Sequence, residues 1–118
     1  MTDPAAEAAR SAAAILAPDL GPSLPAEVEA ALAARDTRQR PDRYLDPVSL
    51  ASLIVAIATL AWTVYNDQRT RTPDPPPDSI ARQVRITLRD QDTVLPPGTE
   101  RITEIVATEI TRQASPPQ

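Results

Sequence analysis

The longest apolar segment lies in the middle of the chain. Pro47 to Asn66 reads PVSLASLIVAIATLAWTVYN, a run of 20 residues without a charge. A helix rises about 1.5 Å per residue, so the run would span about 30 Å, the thickness of the hydrocarbon layer of a bilayer. Asp46 and Pro47 suit the N-cap and the first turn of such a helix. The pattern predicts a single transmembrane helix over residues 47–66.

The ends of this segment resemble those of a membrane span. Trp62 and Tyr65 lie at one end and Tyr44 just outside the other, as in an aromatic belt, and Arg43 and Arg69 flank the segment. The expected location is a bacterial cell membrane. Slightly more arginines lie near the N-terminal end of the segment than near its C-terminal end, which weakly favours an orientation with the N-terminus inside the cell. The residues expected to form the membrane anchor are Leu50, Leu53, Ile54, Ile57, Leu60, Trp62, Val64 and Tyr65.

A stripe of small side chains runs along the same helix. On a helical wheel, Ser52, Ala56, Thr59 and Thr63 lie between two apolar faces. Ser52 with Ala56, and Thr59 with Thr63, are small-xxx-small pairs, which let a second helix approach closely in lipid. The stripe therefore predicts a helix-pairing surface.

A buried helix in a soluble protein is the alternative. Serine, threonine and alanine dilute the segment, and each strong apolar residue favours insertion by only about 0.3–0.6 kcal/mol. A helix without charge on any face must be buried all round. The rest of the chain offers few large aliphatic side chains, so this alternative requires a partner protein to cover the helix.

Residues 1–46 predict a loosely ordered arm of short helices. Ala5 to Leu16 favours a helix with Asp3 as its N-cap, ended by Pro18, Gly21 and Pro22. A second helix is expected from Pro25 to Arg35, with Leu24, Val28 and Leu32 on one face. Both apolar faces are thin and consist mostly of alanine, so the arm is either loosely ordered or docks on a partner.

The spacing of apolar residues changes after a proline-rich linker over residues 67–79. Gln83 to Arg89 alternates apolar and polar side chains, which is typical of a half-buried strand. Asp90 to Asp92 predicts a turn and Thr93 to Leu95 a short returning strand. Thr99 to Gln113 has helical spacing, with Thr99 as the expected N-cap, and residues 114–118 form a frayed tail.

The resulting β–α module, residues 80–113, is too small to fold alone. It should be completed by identical copies, by the N-terminal helices or by another protein. The expected partner-binding residues are the apolar side chains of its strand and helix: Val84, Ile86, Leu88, Ile102, Ile105, Val106 and Ile110. The fold class expected is mostly α with a small α+β C-terminal unit, namely short N-terminal helices, a single transmembrane helix and a β–α C-terminal module.

Composition argues against catalysis. The 118 residues include no Cys and no His, and all 12 basic residues are Arg. Thiol chemistry, imidazole acid–base catalysis and the common metal sites are therefore absent. Two glycines are too few for a phosphate-binding loop. We expect no enzyme activity, no cofactor, no metal and no evident small-molecule substrate.

Charged clusters do not change this expectation. The net charge of −4 is spread along the chain, so nucleic acid is not an expected partner. Asp90 and Asp92, with glutamates on the following helix, lack the ligands and the central glycine of a calcium loop. Arg85, Thr87 and Arg89 would form a basic strip that protects the strand edge.

Two stretches resemble a known class of proteins. YLDPVSLASLIVAIATLAWTVYNDQRTRTPDPPP, from Tyr44, and IARQVRITLRDQDTVLPPGTERITEIVATEI after it resemble small actinobacterial proteins of conflict-system gene neighbourhoods. The class is that of the effector-associated constant components. The similarity covers about residues 44–113 and leaves the N-terminal arm unmatched. It implies a non-enzymatic accessory role beside a protease or NTPase effector.

The expected function follows from these points. We expect a single-pass membrane-associated accessory or adaptor protein that acts through protein–protein association, either with a partner protein or as a homo-oligomer. The alternative is a soluble subunit of a larger complex with its central helix buried against a partner.

Overall fold

The structure, a computed structural model, describes residues 3–36, 50–90 and 98–114. Within these residues the chain forms five helices and no strand: α1 Pro4–Leu20, α2 Leu24–Asp36, α3 Leu50–Arg69, α4 Pro77–Asp90 and α5 Thr99–Ala114. The expected N-cap Asp46, with Pro47 and the flanking Tyr44, lies outside the described residues, as does the expected returning strand, residues 93–95.

The two N-terminal helices form where the sequence predicts them. The Asp3 carboxylate accepts a hydrogen bond from the Ala5 backbone N–H at 3.0 Å, which is the expected N-cap. Pro18 does not end α1, which continues to Leu20. The helix ends where Gly21, with φ +130°, donates its backbone N–H to the Ala17 carbonyl at 2.8 Å. Only glycine adopts this φ without strain, so Gly21 sets the boundary.

Alanine makes α1 a core helix rather than a loose arm. Its buried side chains recur at helical spacing, which places one continuous face against the rest of the protein: Ala5, Ala6, Ala8, Ala9, Ala12, Ala13 and Leu16. Small side chains let neighbouring backbones approach closely, so a face poor in large residues still fills its share of the interior. Helix α1 packs against α2, α3 and α5.

Helix α3 is the centre of the fold, because it packs against each of the other four helices. Its large aliphatic side chains Leu53, Ile54, Ile57 and Val64 are buried in the common core. The expectation that only a partner protein could cover such a helix is wrong. The chain's own helices cover it on most sides, and the alanines of α1 make this possible.

The β–α C-terminal module, and with it the expected fold class, is wrong. The residues predicted as a strand, Gln83 to Arg89, lie inside α4. The alternation at Val84, Ile86 and Leu88 is real but short. Over the whole segment Ile80, Ala81, Val84 and Leu88 follow the helical spacing i, i+1, i+4, i+8, and the first three are fully buried.

Local signals also favour a helix here. Pro77 is the first residue of α4, a position at which the missing N–H of proline costs nothing, and Asp78 carries a negative charge in the first turn. The Pro76 carbonyl accepts hydrogen bonds from the N–H groups of Ser79 and Ile80. The expected proline spacer therefore ends as the start of a helix, and Arg85 and Arg89 lie one turn apart on α4.

Polar contacts link the helices at the surface. Ser79 donates from Oγ to Oε1 of Gln68 at 2.6 Å, which joins the end of α3 to the start of α4. Arg10 joins α1 to α2 through Glu29 at 2.6 Å, and this hydrogen bond is the main cause that raises the pKa of Arg10. Arg101 pairs with Asp19 at 2.7 Å across α5 and α1. The two ion pairs are exposed, so they orient the helices more than they stabilise them.

Candidate functional site: the open face of α3

One side of α3 is not covered by the other helices. The four residues of the predicted helix-pairing stripe, Ser52, Ala56, Thr59 and Thr63, are all exposed. We refer to them as the open face. Their spacing of 4, 3 and 4 residues keeps them in one line along the helix. The structure thus brings the stripe together on a single surface.

The hydroxyl groups of the open face hydrogen-bond along their own helix. Thr59 donates from Oγ1 to the Val55 carbonyl at 3.0 Å, and Thr63 donates to the Thr59 carbonyl at 3.1 Å. Threonine commonly makes this bond to the carbonyl of the preceding turn. The open face therefore presents small, mostly apolar groups and no charge.

Charge distinguishes the open face from the other exposed helix faces. From Leu50 to Tyr65, α3 carries no charged residue. Each of the other four helices has charged side chains among its exposed residues: Arg10 and Asp19 on α1, Glu27 and Glu29 on α2, Arg82 and Arg89 on α4, and Glu100, Glu104 and Arg112 on α5. An ordinary solvent-facing helix surface looks like these four. The open face does not.

The predicted anchor residues are divided between the core and the borders of the open face. Leu53, Ile54, Ile57, Val64 and Tyr65 are buried in the protein. Leu50, Leu60 and Trp62 are partly buried. The ring of Trp62 stacks on that of Tyr65, with centroids 5.7 Å apart and planes 8° from parallel. Of this pair only Trp62 is partly exposed, since Tyr65 is buried.

Helix α3 is long and apolar enough to span a membrane, and half of its most apolar 18-residue window is buried in the protein. Length and composition alone fit a core helix of a soluble protein equally well. Burial adds a distinction: between Leu50 and Tyr65 the large aliphatic side chains are buried or partly buried, together with three alanines, and the exposed side chains are all small.

Most of the expected partner-binding residues lie in the interior. Val84, Ile102, Val106 and Ile110 are fully buried in the core that α4 and α5 share with the other helices. Leu88 and Ile105 are partly buried, and Ile86 is 42% exposed. The chain itself supplies the facing apolar surface that these residues were expected to find on a partner.

The acidic residues near the C-terminus serve structure in the described part of the chain. Arg85 reaches from α4 to two carboxylates of α5, Glu104 at 3.4 Å and Glu100 at 4.0 Å. The described residues contain no group of three or more side chains placed to hold a metal ion. Asp92 lies outside these residues.

Glu109 is a feature that sequence reasoning missed. Its residue is only 3% exposed, and the carboxylate oxygen Oε1 has no hydrogen bond. Arg112, one turn later, approaches the same oxygen at 3.3 Å as an ion pair without hydrogen-bond alignment. The signal was available, because Glu109 lies three residues after Val106 on the apolar side of α5. A buried carboxylate with an unsatisfied oxygen lowers the stability of a fold.

We therefore expect Glu109→Gln to raise the free energy of unfolding by about 1 kcal/mol, since it removes a poorly compensated buried charge. Urea denaturation at neutral pH, followed by circular dichroism, measures the change. Glu104→Gln on the exposed side of α5 is the control and should change stability by less than about 0.5 kcal/mol. A clear loss of stability in Glu109→Gln would show instead that the carboxylate is needed in the core.

No protein-family model matches the chain, and no curated protein or solved structure is significantly similar to it.

Proposed function

We propose that this protein is a non-enzymatic accessory protein that acts through association at the open face of α3. The observation that carries the proposal is the absence of charge on this exposed surface, where the other helices present charged side chains to water. The open face lies on the helix that all the others hold in place, so it is a rigid platform. Rigid, uncharged surfaces lose little entropy and little hydration when they are covered.

The bundle supports a soluble form of this function. The alternative raised by the sequence was a soluble subunit with its central helix buried against a partner. Here the large side chains of α3 are buried against α1, α2, α4 and α5. A partner is then needed only for the open face, a narrow strip, and not for the whole helix.

A permanent single-pass anchor in a bacterial cell membrane is the second candidate, and the length of α3 favours it. An estimate of the free energies supports the closed bundle over the permanent anchor. Seven large aliphatic residues of α3 would favour insertion by roughly 2–4 kcal/mol in all. Removing α3 from the bundle would uncover apolar side chains of the other helices, such as Leu16, Ile80 and Ile110. Re-exposing only three of these costs about 4.5–9 kcal/mol. The closed bundle is therefore the favoured resting form.

Two further points support an accessory role. The chain has no His, Cys or Lys, the side chains that most often act as bases, nucleophiles or Schiff-base formers. The resemblance to effector-associated constant components suggests a protease or NTPase effector as the protein beside which it works. Both points bear on the role and neither identifies the partner.

Site-specific photo-crosslinking in the native host tests the proposal. A photoreactive phenylalanine analogue at Thr63, on the open face, should give adducts with the associated molecule. The same analogue at Ala30, exposed on α2, is the matched control and should give few. Adding Ala56→Arg should reduce the Thr63 adducts at least tenfold, because the long charged side chain blocks close approach. Equal yields from Thr63 and Ala30 would refute association at the open face.

A further inference from the structure

We infer that α3 is a latent membrane segment: it is the core helix of the closed bundle and enters a lipid bilayer when the bundle opens. This inference rests on the proposed function and names the bilayer as the molecule that covers the open face. The sequence predicts a permanent membrane anchor, whereas in this inference α3 enters the membrane only when the bundle opens.

The first argument is that charge is missing from the whole circumference of α3 between Leu50 and Asn66, and not only from its buried side. Packing in the core explains why Leu53, Ile54 and Ile57 are apolar. It does not explain why the exposed residues Ser52, Ala56, Thr59 and Thr63 include no charge, although a charge there would meet water at no cost. A bilayer contacts every face of an inserted helix, so a lipid environment explains the lack of charge on the buried side and on the exposed side alike.

The second argument is length. The uncharged run from Pro47 to Asn66 has 20 residues, which is what crossing the hydrocarbon layer requires. A protein partner that binds the open face needs only the three turns between Ser52 and Thr63. The stacked Trp62 and Tyr65 lie at the C-terminal end of the run, followed by Asp67 and Arg69. Aromatic rings followed by charges are typical of the membrane interface.

The third argument concerns what the other helices would do. Helices α4 and α5 have apolar faces, Ile80 with Val84 and Ile102 with Val106, and charged opposite faces. When α3 leaves, such helices can lie in the plane of the bilayer surface with the apolar face down. When the bundle opens on a membrane, its apolar core side chains therefore enter lipid rather than water. This lowers the free energy of the open, membrane-inserted state.

The single tryptophan of the chain, Trp62, reports on insertion. The experiment uses the full chain with phosphatidylcholine vesicles whose acyl chains are brominated near the headgroup, and unbrominated vesicles as the reference. Bromine quenches tryptophan fluorescence on contact, so quenching shows that Trp62 has entered lipid. Flotation of the vesicles measures the bound fraction.

Four proteins are compared. Wild type should bind weakly. Ile110→Ala removes a fully buried side chain of α5, so it opens the bundle without altering α3, and it should increase binding and quenching roughly tenfold or more. Adding Ala56→Arg places a charge at the tenth residue of the uncharged run and should lower that binding roughly 70- to 400-fold. Adding Ala14→Arg instead, on the exposed side of α1, should leave it unchanged.

Two results would overturn the inference: Ile110→Ala binds no better than wild type, or Ala56→Arg and Ala14→Arg behave alike in the Ile110→Ala background. The second result would mean that loosened amphipathic helices bind vesicles without α3. If one of these two results is obtained and the photoreactive group at Thr63 crosslinks to a protein, association at the open face stands. Lipid is then rejected as the partner. Absence of Thr63 adducts above the Ala30 control would reject the proposed function itself.

Discussion

An arginine at Ile57 strongly destabilises the protein, whereas an arginine at the neighbouring Ala56 has little effect on its stability: this is the largest contrast that we expect. Ile57 is fully buried at the centre of α3, and Ala56 is exposed. A charge forced into the core without a counter-ion should remove about 4 kcal/mol or more. Domains of this size have about 5–15 kcal/mol in total, so Ile57→Arg should lose a large share of the stability of the fold.

Thermal and urea denaturation of the purified variants, without detergent, measures this contrast. We expect Ala56→Arg to lie within about 1 kcal/mol of wild type, because its side chain extends into water. If α3 were only a membrane anchor, the two substitutions would be equivalent, since every face of such a helix contacts lipid. Equal effects on the stability of the soluble protein would therefore contradict the bundle.

The second large effect concerns α4. We expect Val84→Asp to remove about 4 kcal/mol or more, since Val84 is 0% exposed and the aspartate would be buried without a partner. Ile86→Asp should change stability by about 1 kcal/mol or less, because Ile86 is 42% exposed.

This pair separates helix from strand in one experiment. In a strand, residues 84 and 86 lie on the same face and both substitutions would bury a charge. In α4 they lie on different faces. Denaturation curves for the two variants, measured side by side, decide the matter, and a loss in Ile86→Asp as large as that in Val84→Asp would restore the strand.

Local signals made part of the fold predictable. Asp3 followed by Pro4 identifies the start of α1, and Leu24, Val28 and Leu32 identify the buried face of α2. Helix α5 was predictable from Ile102, Val106 and Ile110. In each case the residues that set the helix are close in sequence, so propensity, capping and spacing agree.

The strand prediction was wrong because its window was too short. Seven residues with three alternating aliphatics satisfy a period of two, yet Ile80 and Ala81, just upstream, satisfy the helical period together with Val84. The prolines were assigned to a spacer, although Pro77 is the first residue of α4. This assignment excluded the start of the helix from the segment in which the period was read. Seven residues alone do not distinguish the two periods, and packing of Ile80, Ala81 and Val84 in the core favours the helix.

The role of α3 was not predictable from its own residues. An uncharged segment of this length fits lipid and a protein core alike, and the difference lies in what surrounds it. The sequence signal for the core was in α1, where Ala5, Ala8, Ala9 and Ala12 recur at helical spacing. Alanine adds little apolar area, so it suggested a weak face, whereas its small size allows close helix packing. The stripe on α3 was predicted as a helix-pairing surface in lipid; its four residues are exposed in the structure, and the pairing itself stays a prediction.

The most direct test of the central claim is amide hydrogen exchange of the full chain in detergent-free buffer. In the bundle, the backbone amides in the middle of α3 can exchange their hydrogens with solvent only when the whole core opens. They should be the slowest to exchange, and they should share one opening free energy with the buried turns of α1 and α5. Fast exchange across α3 while α1 and α5 stay protected, or a chain that remains dispersed only in detergent, would contradict α3 as the core helix.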